Sequence, residues 1–164
     1  MNEILIPNAQ LYAARREIEL AETLGSGKDG IVLVAQHKGK PAGVAIKVFR
    51  FREPYAREKQ VYKRLANLEI SSVLGFNVPQ PLGFDDELLV IEMTIVKRPF
   101  VLDFAGAYLD FRPEFPEEVW NDWEAERKEQ FEGRWSEVQK VMDAFELLGI
   151  YLLDVSPGNI AFLE

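Results

Sequence analysis

The feature that most constrains this chain is a spaced series: Gly25, Gly27 and Gly30 in Gly-Ser-Gly-Lys-Asp-Gly-Ile-Val, then Lys47 in Val-Ala-Ile-Lys. Glycine at such positions lets a turn bring its backbone against phosphate oxygens with no Cβ atoms in the way. A dinucleotide-binding fold uses the same spacing between a strand and a helix. Here Ile31-Val32-Leu33-Val34 follows at once and reads as a strand, so a strand–turn–strand cover is expected. Lys28 lies inside the turn but lacks the Gly-Lys-Ser/Thr ending of a nucleoside-triphosphatase loop, and reads as solvent-exposed.

Lys47 is framed by Val44, Ala45, Ile46, Val48 and Phe49. A lysine inside such a strand either snorkels to the wet face or meets an anion, because an unpaired buried cation is costly. Glu58 is the expected anion. Tyr55, Val61, Tyr62 and Leu65 fall on one helical face that would pack toward the sheet and carry Glu58 with it. Glu53, just before Pro54, has an ordinary helix-start explanation. Glu58 has its own bland alternative, pairing with Tyr62 or surface lysines at helical spacing.

Around these residues the pattern predicts strands over 18–25, 31–36 and 44–48, a helix from about Pro54, and strands over 82–84 and 88–93 split by the turn Asp85-Asp86-Glu87. Ala13 to Ile18 reads as a short helix or the approach to the first strand. Pro99 ends the strand region, and residues 101–116 fit no periodicity. Helices are predicted over 117–131 and 135–148, the second stopped by Gly149. The expected division is 1–95 and 96–164.

A length of 164 residues suits one domain or two small lobes. No apolar run is long enough to span a bilayer, and the absence of cysteine gives no support to secretion, so a cytoplasmic location is expected. The net charge of -8 disfavours general attraction to nucleic acid or anionic membrane. His37 sits in a turn signal without neighbouring metal ligands and receives no role.

In this order, the segments resemble the protein-kinase-like superfamily. Gly25 to Val32 is similar to its glycine-rich loop, Val44-Ala45-Ile46-Lys47 to its strand lysine, and Glu58 to the helix partner of that lysine. Leu89 to Thr94 resembles the last strand and hinge. Leu147 to Asp154 followed by Pro157-Gly158-Asn159-Ile160 resembles the catalytic loop and its approach, in a form without His-Arg that is closer to RIO-type or small-molecule kinases.

The resemblance spans residues 18–162 and implies an α+β fold. Its N-lobe would be a five-stranded antiparallel sheet with one helix, and its C-lobe truncated and mostly helical. It implies ATP and Mg2+ as cofactors. Gly25, Ser26, Gly27 and Gly30 would cover the phosphates, and Glu58 would hold Lys47 toward two phosphate oxygens. The adenine would lie between the lobes near Ala45 and Ile91, with Ile91 limiting depth. Val32 and Met93 would add apolar contact, and backbone at Glu92, Met93 and Thr94 would hydrogen-bond the base. Asp154 would accept or orient the proton of an attacking hydroxyl, and Asn159 would help hold magnesium. Both also suit the simpler task of capping a Pro-Gly turn.

Departures from the family pattern set the remaining expectations. Leu152 and Leu153 replace His-Arg, Ser156 replaces a lysine, and the sequence reaches Glu164 before any Asp-Phe-Gly aspartate, leaving the metal clamp incomplete. Asp103 is the weak candidate for a substitute metal acid. The expected function is ATP-dependent phosphoryl transfer to a hydroxyl of a protein or small molecule, completed by a partner, a second copy or further residues. The alternative is an inactive pseudokinase, acting as nucleotide sensor or interaction scaffold. Phe131, Trp135, Val138, Met142 and Phe145 are the expected dimer face, and Leu147, Leu148, Ile150, Tyr151 and Leu152 the expected cover on part of the first lobe. Trp120 and Trp123 are expected to pack within the chain.

Overall fold

A computed structural model of the chain describes residues 4–163; residues 1–3 and 164, at the outer ends of the two expected lobes, lie outside the described residues. In chain order the elements are α1 (Leu5–Arg16), β1 (Ile18–Ser26), β2 (Gly30–His37), β3 (Gly43–Phe49), α2 (Arg52–Asn67), β4 (Ser72–Val73), β5 (Phe76–Asn77), β6 (Pro81–Asp85) and β7 (Val90–Thr94). They continue with β8 (Phe100–Val101), β9 (Tyr108–Leu109), α3 (Glu117–Phe131), α4 (Trp135–Leu147), β10 (Ile150–Tyr151) and β11 (Ile160–Ala161). Two compact units result, one of Met1–Glu69 with Pro79–Ile95, the other of Ile70–Val78 with Val96–Glu164.

The fold is α+β, as the sequence predicts, with a five-stranded antiparallel sheet of order β1-β2-β3-β7-β6 in the first unit. Strand alternation sorts its side chains onto two faces. Ile31, Leu33 and Ala35 of β2, Val44, Ile46 and Val48 of β3, and Val90 of β7 share a core with Leu5, Ala9, Tyr12 and Ala13 of α1. The intervening residues of β3 and β7 (Ala45, Lys47, Ile91, Met93) take the opposite face, and α2 buries Tyr55, Glu58, Val61, Tyr62 and Leu65 as its apolar stripe predicts.

Only the end of α1 is visible as helix in the sequence. Pro7 obscures its start, yet a proline in the first turn removes no intrahelical hydrogen bond. The helix is joined to the sheet through Glu92, which is fully buried. The Tyr12 hydroxyl donates to Glu92 Oε1 at 2.7 Å, His37 Nε2 lies 2.7 Å from Oε2, and Arg16 Nη2 lies 3.6 Å from Oε1. His37 is therefore the last residue of β2 rather than part of a turn, and its ring has a carboxylate partner.

In the second unit, α3 and α4 accompany a four-stranded sheet of order β11-β8-β5-β4 and the pair β10-β9. These strands are two residues long, too short for any alternation to show in the sequence. α3 covers the span predicted for it, and Gly149, at φ 78, follows the end of α4. The expected dimer face is internal: Phe131, Trp135, Val138 and Phe145 are buried, and Met142 is half-buried. They are core because α4 turns Trp135, Val138 and Phe145 inward, with the Phe145 ring 5.9 Å from that of Phe104, and Phe131 at the end of α3 packs 6.1 Å from the Trp135 ring. Leu147 is 90% exposed, so it does not serve as the cover expected of it. Trp120 and Trp123 pack edge to face at 5.8 Å, within the chain as expected. No helix among the described residues is long and apolar enough to cross a membrane.

Burial, with hydrogen bonds to Glu92 and Asp86 respectively, pushes the Tyr12 and Tyr55 hydroxyls far above the ordinary phenol range. An unfolded chain releases tyrosine protons near pH ~10 that the folded chain retains. Stability is thus complete below that pH and falls as pH rises through it. Urea unfolding between pH ~9 and ~11 is expected to show this decline, with a shallower slope in Tyr12→Phe; equal slopes would contradict it.

Candidate functional site

The glycine turn joins β1 to β2, with Gly25 opposite Val32 and Ser26 opposite Ile31. The Gly27 N–H donates to the Gly30 carbonyl at 2.9 Å. Arg50, just beyond β3, donates from its guanidinium to the Gly27 carbonyl and from its backbone N–H to the Asp29 carbonyl at 2.8 Å. This tether has no counterpart in the sequence pattern, because it depends on how the turn lies beside the end of β3.

The three glycines have different reasons to be glycine. A Cβ on Gly30 would stand 1.9 Å from the Val48 carbonyl oxygen, so the approach of β2 to β3 requires the missing side chain. A Cβ on Gly25 or Gly27 would meet nothing within 4 Å. Packing within the protein does not account for glycine at those two positions. The space beside their Cα atoms is empty.

Beside this turn lies Lys47, opposite Val32 on one side and Ile91 on the other. Its ammonium sits 2.8 Å from Glu58 Oε1 and 4.9 Å from the centre of the Phe49 ring. Lys47 is 7% exposed and Glu58 2%, so the pair is withdrawn from water. The arrangement gives a fixed cation on the sheet face that α2 partly covers.

Strand parity separates the residues expected around a base. Ala45 and Met93 are cross-strand partners on the Lys47 face, and the Met93 sulfur accepts from the Tyr62 hydroxyl at 3.2 Å. Ile91 shares that face, directly opposite Lys47 and fully buried. Glu92 points to the other face, and its main chain lies inside the ladder between Ile46 and Gly83. The Thr94 N–H donates to the Gln80 carbonyl at 2.9 Å, and its hydroxyl accepts from the Gln80 N–H at 2.9 Å. The Thr94 N–H and hydroxyl are thus engaged with Gln80.

In the second unit, Asp154 is exposed in the loop between the buried side chains of Leu152 and Val155. Asn159 donates from Nδ2 to the Asp154 carbonyl at 3.1 Å and from its N–H to the Ser156 carbonyl at 2.9 Å. Its own carbonyl accepts from Leu102 at 2.8 Å, where β11 joins β8. Leu152, where the family pattern has His, is buried beside this loop. Asp103 accepts the Ala105 N–H at 2.8 Å in a local turn. Among the described residues, no three His, Cys, Asp or Glu side chains form a cluster able to hold a metal ion.

No family model matches the sequence, and no curated protein matches it. Among solved structures, the chain is similar to the PknI kinase domain of Mycobacterium tuberculosis, at 20% identity and a TM-score of 0.33. That match covers 68% of this chain and 43% of the other. A double mutant of the same domain matches at 20% identity and a TM-score of 0.34, over 68% of this chain and 46% of its own length. The chain thus spans less than half the length of these structures, and the likeness is distant and partial.

Gly30→Ala is expected to lower stability by about 2 kcal/mol or more, since backbone must move, whereas Gly25→Ala and Gly27→Ala should change it by under ~1 kcal/mol. Urea unfolding distinguishes these, and equal costs at all three positions would contradict the geometry. Glu58→Gln should cost about 3 kcal/mol by leaving Lys47 buried beside a neutral amide, and replacing both residues by Met should cost much less. A double variant as unstable as Glu58→Gln would contradict this reading.

Proposed function

We propose that this chain is a kinase-like ATP-binding protein that transfers the γ-phosphoryl group to a hydroxyl of a protein or small molecule. The observation that carries the reading is the buried Lys47–Glu58 pair, 2.8 Å apart, on a sheet whose glycine turn has empty space where Cβ atoms of Gly25 and Gly27 would stand. An ammonium fixed by a helical carboxylate is preorganised for phosphate oxygens, and glycine backbone can approach the same oxygens closely. Phosphoryl transfer depends chiefly on such positioning and charge.

Ala45, Val32 and Met93 would provide the apolar bed for the base. Ile91, fully buried opposite Lys47, would limit its depth. Asp154 would orient the acceptor hydroxyl and take its proton. Asn159, with its amide nitrogen turned to the Asp154 carbonyl, would offer its oxygen to magnesium. One amide oxygen suits Mg2+ only when phosphate oxygens and water supply the other ligands.

A second reading, a nucleotide sensor without turnover, is favoured by the lack of a three-ligand cluster among the described residues. Calorimetry with ATP, with and without Mg2+, tests the shared part: saturable binding should weaken at least about tenfold in Lys47→Ala. No binding by folded protein would contradict both readings. ATP consumption that falls about 100-fold or more in Asp154→Ala supports transfer, and binding with no consumption selects the sensor. A full rate in Asp154→Ala would remove that residue from the mechanism.

A further inference from the structure

Helix α2 must hold its angle to the sheet for Glu58 to meet Lys47, yet its first residue has no side-chain cap: Phe51 precedes it and makes no capping hydrogen bond. The start of the helix is fixed from outside. Arg52, Tyr55 and Lys59, spaced by three and four along one helical stripe, all reach Asp86 in the turn between β6 and β7. The Tyr55 hydroxyl donates to Asp86 Oδ1 at 2.6 Å, Lys59 Nζ donates to the same oxygen at 2.8 Å, and Arg52 donates to the Asp86 backbone carbonyl at 3.0 Å. The Lys59 ammonium also lies 5.3 Å from the centre of the Phe84 ring.

The turn that presents Asp86 is itself anchored. Asp85 Oδ1 accepts the backbone N–H groups of Glu87 and Leu88 at 3.1 and 2.9 Å. Arg15 of α1 bridges Asp85 and Glu87 at 2.9 and 3.1 Å, and the Leu89 carbonyl accepts the Phe49 N–H at 2.9 Å. An isolated exposed ion pair contributes little. A carboxylate that gathers a buried phenol and an ammonium on one oxygen, from a turn tied to β3, supplies directional charge-assisted bonds.

We propose that Asp86 is a positioning residue that clamps α2 through Tyr55 and Lys59 and thereby presents Glu58 to Lys47. This rests on the reading of Lys47 and Glu58 as the nucleotide site. Asp86 bonds to Arg52, Tyr55 and Lys59 and not to Lys47. It acts through the helix, so its influence on Lys47 must disappear when Glu58 is removed.

The test first measures Lys47 without nucleotide, as its acetylation rate by dilute acetic anhydride, read by peptide mass spectrometry on the folded chain. Pairing holds the ammonium against Glu58 and withdrawn from water, so Asp86→Ala should raise the rate about tenfold, and Glu58→Gln should raise it too. The double variant should match Glu58→Gln alone. General loosening would instead multiply the rate equally in both backgrounds. That result, or a change under about twofold in Asp86→Ala, overturns the proposal. If Asp86→Ala does not fold, Lys59→Met, which keeps most of the apolar stem, takes its place under the same criteria. ATP affinity is then measured on the same variants. Coupled acetylation rates without any ATP binding would support the clamp and overturn the nucleotide reading instead.

Discussion

The first unit depends on how a charged group can persist inside an apolar sheet. Lys47 lies in β3 between Ile46 and Val48, both fully buried, and its side chain is 9% exposed. Burying an ion without a partner costs several kcal/mol, on the order of a domain's whole stability. Glu58 makes this position tolerable. It can do so only if α2 packs at one angle and rotation, which ties the identity of a strand residue to the placement of a helix.

The opposite face follows the same logic with the charges reversed. Glu92 is fully buried against α1, and Tyr12, His37 and Arg16 approach it from the helix and from the end of β2. One sheet thus carries a buried cation toward α2 and a buried anion toward α1. Each charge fixes a helix to its own face. Such groups are weak contributors to net stability, but they penalise wrong registers heavily, because a one-residue slip of β3 would strand Lys47 and one of β7 would strand Glu92.

Much of this was legible from local pattern. The glycine series, the strand around Lys47, the apolar stripe of α2 and the span of α3 all follow from periodicity and turn chemistry within short windows. Glu58 was accessible because that stripe predicted which way the helix faces. The network around Glu92 was not, since Tyr12 and Glu92 are 80 residues apart and nothing local marks them as partners. The roles expected of Ile91, Glu92 and Met93 depend on strand parity and cross-strand register, which the sequence leaves unspecified. The stripe on α4 is apolar as its spacing predicts but packs within the chain rather than on a second copy, because periodicity identifies a buried face without saying what covers it.

The account predicts that a nucleotide would be felt where Lys47 and the glycine turn meet. A titration of isotopically labelled chain with a non-hydrolysable ATP analogue, followed by amide NMR, tests this most directly. Saturable shifts concentrated at Gly25, Gly27, Val32, Ala45 and Lys47, with Ile31 and Ile46 on the α1 face little affected, are the predicted result. A folded chain whose spectrum is unchanged at saturating analogue, or whose shifts gather away from Lys47, would contradict it.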